Sequence, residues 1–189
     1  MRLLFFSLLI SISFTCTESK PLKMKTINST PSENFELDRY LGTWYEIARF
    51  PHSFEKGLVG VTAKYSKMEN GKIKVVNSGF RETLTGKFKK AEGKAKFAGP
   101  ENIGHLKVSF FLFFYADYYI LELDTQNYEY ALVGSSSSKY LWILARNPRI
   151  PEGIYQMLLE KAKERGYQPD NLIKVEQKPL KAFEEGKTI

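Results

Sequence analysis

Cysteine and histidine are almost missing from this 189-residue chain, which has one cysteine, Cys16, and two histidines, His52 and His105. A single thiol excludes an intramolecular disulfide. The two histidines belong to no recognisable triad, no Gly-x-Ser-x-Gly elbow occurs, and metal-ligand spacing is lacking. These absences turn the reading away from an enzyme, and no cofactor is implied. Repeats are absent too, and the one low-complexity stretch, Ser135-Ser136-Ser137-Ser138, suits a loop. No apolar run is long enough to span a bilayer as a helix.

The N-terminus stands apart. Arg2 precedes a nearly unbroken apolar run, Leu3 to Phe14, and a polar segment follows. Residues 1–15 have the form of a signal peptide, so the protein is expected to be exported. Cys16 comes directly after it, where a bacterial lipoprotein carries its acyl chains, although Ser13-Phe14-Thr15 matches the usual processing box loosely. Two or more acyl chains anchor a protein stably to a membrane. The alternative is a soluble exported protein that has discarded Cys16. Residues 16–34 are polar and unpatterned and are expected to be a flexible tether; residues 179–189 form a charged tail.

With 43% apolar and 14% aromatic residues, the rest can bury one sizeable core. It divides into short strands separated by turn signals, expected at 43–50, 58–67, 72–81, 87–98, 104–112, 117–124, 128–135 and 140–146. Asn70-Gly71 is a strong hairpin signal. Eight strands with short loops favour antiparallel neighbours, and closure into an up-and-down barrel removes the sheet edges. One segment has helical periodicity: Ile154, Tyr155, Leu158, Leu159 and Ala162, between Pro151 and Gly166. That helix is expected to pack outside the barrel on Tyr45 and Ile47. A short strand, Leu172 to Gln177, follows.

The net charge is +7, with lysines clustered at Lys87, Lys89, Lys90, Lys94 and Lys96. They lack the interleaved aromatic platforms of a nucleic-acid binder. A solvated outer face, or attraction to anionic lipid headgroups, remains open. The run Phe110-Phe111-Leu112-Phe113-Phe114-Tyr115 is too short to span a membrane and is read as a strand end with its loop, with a lip that touches lipid as the alternative.

The stretch Tyr40 to Phe50 organises the chain. Alternation puts Trp44, Glu46 and Ala48 on one face of the first strand. Eight antiparallel strands return the end of the last strand beside the start of the first. Arg146 therefore meets Trp44, in a cation–π contact worth about 0.5–2 kcal/mol. Gly42, Trp44 and Arg146, with Phe35, are expected to shut one end. By parity Val61, Ala63, Tyr65, Val108, Phe110, Trp142 and Leu144 face inward with Ala48, and Tyr118 and Ile120 are added from the sixth strand. Glu46 would lie inside an otherwise apolar barrel with Arg146 as its candidate partner. It is either a structural ion pair near the closed end or a group that disfavours a buried anionic headgroup.

Gly42-Thr43-Trp44 and Arg146 resemble the first and third signatures of the lipocalins. The phrases YLGTWYEIARF, MENGKIKVVN, LKVSFF and YLWILARNP resemble the bacterial outer-membrane branch and its apolipoprotein D-like relatives across residues 35–178. The second signature, Thr-Asp-Tyr, is replaced by Asp124-Thr125-Gln126-Asn127-Tyr128. The resemblance implies an eight-stranded barrel that stores or carries a fatty acid or lysophospholipid at the bacterial envelope. Its other partner would be the membrane, reached through the N-terminal anchor. A structural envelope protein whose barrel is filled by its own side chains is the alternative, since eight strands enclose room for either, and a lipid-modifying enzyme is a further one.

Overall fold

A computed structural model of the protein describes residues 26–178. The expected signal segment, Cys16 and the charged tail lie outside the described residues.

Eight antiparallel strands follow one another around a barrel: β1 (Gly42–Arg49), β2 (Leu58–Lys67), β3 (Ile73–Arg81), β4 (Phe88–Phe97), β5 (His105–Phe111), β6 (Phe114–Leu123), β7 (Tyr130–Gly134) and β8 (Leu141–Ala145). Pairing of β1 with both β8 and β2 closes the sheet, with Trp44 opposite Ala63 and Tyr45 opposite Ala145. A single turn, α1 (Leu37–Tyr40), precedes β1 and caps the barrel's lower end; the helix α2 (Glu152–Glu164) follows β8. A two-residue strand, β9 (Ile173–Lys174), pairs with β1 at Ala48 and Arg49. It is shorter than the expected strand over 172–177.

Two apolar cores result. One fills the lower barrel with Phe35, Tyr40, Trp44, Ile73, Leu106, Ile120 and Tyr128. The other lies outside the sheet, where Tyr155, Leu158 and Ala162 of α2 meet Ala48, Phe50, Leu121, Leu132, Leu141 and Ile143. These positions repeat at helical spacing on α2 and at alternate positions on β8, so one helical stripe covers one sheet face. The helix therefore rests on Ala48 and Phe50, with Ile47 at the margin, rather than on the expected pair Tyr45 and Ile47.

The cause is a β-bulge at Ile47. Glu46 pairs with Leu144, yet Ala48 pairs with Ile143, so two residues of β1 advance while β8 advances one. A bulge inverts alternation beyond it. Ala48, expected inside, turns outward under the helix, and Arg49 turns inward.

The expected flexible tether also needs correction at its end. The Ser32 amide donates to the Ile120 carbonyl at 2.7 Å, Glu33 bridges to Ile103, and Arg165 donates to the Thr30 carbonyl at 2.8 Å. Part of residues 28–33 is thus hydrogen-bonded along the barrel wall and cannot act as free linker.

Candidate ligand-binding site

The closed end is built around Trp44. Its indole is fully buried and donates to the Tyr40 carbonyl at 2.8 Å. The Arg146 guanidinium lies 4.0 Å from the ring centre and donates to the carbonyls of Thr43 at 3.0 Å and Tyr128 at 3.2 Å, and to that of Arg39. Gly42, at φ +95°, leaves the chain room to pass this guanidinium: a Cβ there would sit 3.3 Å from Nη1. Arg39 stacks 4.3 Å above the Tyr128 ring and binds the Thr125 carbonyl at 2.9 Å. The loop that departs from the second signature is therefore part of this cap.

Above the plug, three tyrosine hydroxyls form a chain across the barrel. Tyr118 is 2.8 Å from Tyr40 and 2.8 Å from Tyr65. Burial raises the pKa of all three, so the phenols remain neutral hydroxyls. Tyr65 and Tyr118, with Tyr40 behind them in the plug, floor a cavity of about 340 Å³ walled by Ala63, Val75, Val108, Ala116, Val133 and Leu144. Its upper part is aromatic and polar: Phe54, Phe110, Tyr140, Trp142 and Ser135 to Ser137. A second volume of about 560 Å³ adjoins it towards β2–β4, sharing Phe54, Glu55, Asn77 and Phe110. Its wall carries Val61, Arg81, Lys89 and Lys90.

Of the residues expected to meet a ligand, Glu46, Ala63, Tyr65, Val108, Phe110, Tyr118, Trp142 and Leu144 line the main cavity. Val61 lines the adjoining volume. Ala48 is displaced outward by the bulge. Ile120 does point into the barrel but is fully buried in the plug with Phe35, Tyr40 and Trp44, away from the lining.

Glu46 has a different partner from the expected Arg146. The bulge brings Arg49 round so that its Nη1 donates to Glu46 Oε1 at 2.6 Å, both side chains being almost wholly buried. The same guanidinium holds the segment after β1 in place, donating from Nη2 to the carbonyls of Glu55 at 2.9 Å and Leu58 at 3.0 Å. Glu55 folds back into the barrel from a short 3-10 turn (Ser53–Glu55), 4.0 Å from Arg49 Nε, and accepts from Trp142 Nε1 at 3.3 Å. His52 Nε2 lies 2.9 Å from Glu55 Oε2. Burial, reinforced by Glu55 and only partly opposed by Arg49, pushes the Glu46 carboxyl up to about 8. The Glu46–Arg49 contact sits in the upper half of the barrel, away from the closed end, and Glu46 also lines the main cavity.

Several lining residues escape a reading by parity from the Trp44 and Arg146 anchors. Val75 and Asn77 pair with Tyr65 and Ala63 across the Asn70-Gly71 hairpin, and Val133 pairs with Ile120, so register carried one strand further finds them. Phe54 and Glu55 arrive on an irregular turn, for which periodicity offers no signal.

A family model described as a lipocalin-like domain matches residues 35–177. The chain is 48% identical to the outer membrane lipoprotein Blc of Vibrio cholerae over 147 residues, covering 78% of this chain and 85% of that one. It is 45% identical to the Escherichia coli K12 protein of the same name, covering 78% and 82%. Apolipoprotein D of Rattus norvegicus is 42% identical, covering 73% and 75%. Among solved structures, insecticyanin from the tobacco hornworm superposes with a TM-score of 0.64 at 19% identity, covering 79% of this chain and 84% of that one. The cockroach allergen Per a 4 gives 0.62 at 21%, covering 82% and 96%. These last two show the shared fold. With a closed eight-stranded barrel, an external helix and an enclosed apolar cavity, the chain belongs to the lipocalin family, whose barrels bind small hydrophobic ligands.

Proposed function

We propose that the barrel holds a single-tailed amphiphile, a fatty acid or lysophospholipid, with the tail down and the headgroup at the mouth. The observation that carries this reading is the gradient of chemistry along the barrel axis. The deep wall is largely aliphatic and aromatic over a neutral tyrosine floor, whereas the adjoining volume near the mouth is lined by Lys56, Arg81, Lys89 and Lys90 against one acid, Glu55. An anionic head entering first would pass Glu46 and Glu55 and end among buried apolar groups, which is costly without a partner. With the tail first, the head stays beside cations. Burying about ten methylenes at about 0.8 kcal/mol each supplies about 8 kcal/mol, equivalent to micromolar binding before ordering costs.

Asn77 favours a ligand with a hydroxyl near its head. Its side-chain oxygen is buried in the wall without a hydrogen-bond partner among the described residues, an acceptor suited to a glycerol hydroxyl. The enclosed volume weighs against a barrel filled by its own side chains. The names of the Vibrio cholerae and Escherichia coli relatives support an exported protein held at the outer membrane, and Cys16, directly after the expected signal segment, is the residue proposed to be acylated. Native mass spectrometry of protein made in its own host, with extraction of the bound lipid, tests the ligand reading: a stoichiometric monoacyl lipid is expected. Protein that carries no lipid and gains none when incubated with lysophospholipid contradicts it. A mature N-terminus downstream of Cys16 would overturn the anchor.

A further inference from the structure

The mouth of the barrel is an apolar prong set in a ring of cations. β5 and β6 meet in a tight hairpin, with Leu112 at φ +46°, and the four residues Phe111 to Phe114 are between 62% and 86% exposed. Phe54, on the 3-10 turn after β1, and Phe88, at the start of β4, lie at the same end and are more than half exposed. A contiguous apolar patch of this kind on a soluble domain marks an interaction surface. The hairpin does not need these side chains for its own core, which lies below Val108 and Ala116.

Charge identifies the occupant. The loops and strand ends around the prong present Lys56, Arg81, Lys87, Lys89 and Lys139, and the one exposed acid among the loops at 50–57, 82–87, 112–113 and 135–140 is Glu82. The segments at the closed end carry a small acidic excess instead: Glu36, Asp38, Glu69, Glu101, Asp124 and Glu129 against Arg39, Lys72, Arg146 and Arg149. We infer that the open end docks on a bilayer containing anionic phospholipid, with Phe111, Phe113 and Phe114 entering the headgroup–acyl boundary and the lysines contacting the headgroups. Aromatic side chains settle at that depth, and clustered cations draw a domain to an anionic leaflet. The closed end then faces away from the surface. Phe54 and Phe110 belong both to the prong and to the cavity lining, so docking opens the cavity towards the membrane. The inference does not depend on which ligand the cavity takes.

The test uses the full chain in vesicles, so that any N-terminal anchor acts equally on every variant. One variant carries Phe113→Trp at the prong, and a second carries Asn70→Trp at the exposed turn of the closed end. Quenching by phosphatidylcholine brominated high on its acyl chains is measured for each, after subtraction of the parent's Trp44 and Trp142. In vesicles with about 30 mol% phosphatidylglycerol, the Phe113→Trp indole is expected to be quenched at least about threefold more than the Asn70→Trp indole. The difference should shrink several-fold in pure phosphatidylcholine or at about 1 M salt. Equal quenching at the two ends overturns the proposal. So does quenching that is indifferent to phosphatidylglycerol, because the cationic ring would then have no role. A Phe113→Trp emission that is blue-shifted without lipid and reverts on dilution would assign the prong to a second copy of the chain, and would also overturn it.

Discussion

The two ends of the barrel solve opposite problems with the same kind of residue. At the closed end an arginine lies outside an indole and satisfies backbone carbonyls: Arg146 covers Trp44 and ties α1, β1 and the Tyr128 turn together. Towards the open end an arginine lies inside: Arg49 is buried between Glu46 and Glu55 and fastens the segment after β1 over the cavity. The outer arginine keeps contact with water and adds stability cheaply. The inner one stands where its removal would strand two acidic groups. The comparison implies that the closed end is held by packing and the open end by a charge cluster, and each part of that statement can be broken separately.

The largest effect is expected at the inner arginine. Arg49→Met leaves Glu46 and Glu55 buried without their shared cation and frees two carbonyls, a loss of about 3–5 kcal/mol of stability. Urea melts check this, and a loss no greater than that of Arg146→Ala would mean that the open end is not held by this cluster.

The second effect concerns pH. The Glu46 carboxyl is raised from 4.5 to about 8 in the folded protein, chiefly by burial. Between those values the native state binds the extra proton, so stability falls as pH rises through the window. One proton corresponds to a slope on the order of 1 kcal/mol per pH unit. Glu46→Gln should flatten that decline in thermal melts taken from pH 5 to pH 8. An unchanged slope in the variant would show that Glu46 is not the group responsible.

The smallest effect belongs to the outer arginine. Arg146→Ala should cost about 1–2 kcal/mol through the lost indole contact, and ligand affinity should change little because the plug and the tyrosine floor separate this contact from the cavity. Stability equal to that of the parent in urea would dissolve the contrast between the two ends.

The closed end was the more legible in the sequence, and the reason is regularity. Between Gly42 and Glu46 nothing interrupts alternation, so parity and strand direction suffice to bring Trp44 and Arg146 together. The lining positions Ala63, Tyr65, Val108, Trp142 and Leu144 follow from the same unbroken count. Above Glu46 the count fails at one residue. The bulge at Ile47 leaves no local composition signal; it shows only in the register with β8, where Ala48 meets Ile143 across about a hundred residues of chain. Ala48 and Arg49 consequently exchange faces, and Glu46 acquires Arg49 in place of Arg146. Ile120 shows a different limit: no anchor in the sequence fixes the parity of its strand, and its depth in the plug depends on how far Phe35 and α1 reach up the barrel. Glu55 lies on an irregular turn, and only the hydrogen bonds of Arg49 and Trp142 define its place.

The central claim, a ligand held tail-down beneath a cationic mouth, is tested most directly by the indole of Trp142 near the top of the cavity. In a Trp44→Phe background Trp142 is the sole tryptophan, and fatty acids brominated either next to the carboxylate or near the terminal methyl can be titrated against it. Bromine next to the carboxylate should quench it the more strongly, because the head lies at the level of Trp142 and the methyl end lies near the tyrosine floor. Stronger quenching by the methyl-end bromine would place the carboxylate at the bottom of the barrel and contradict the account.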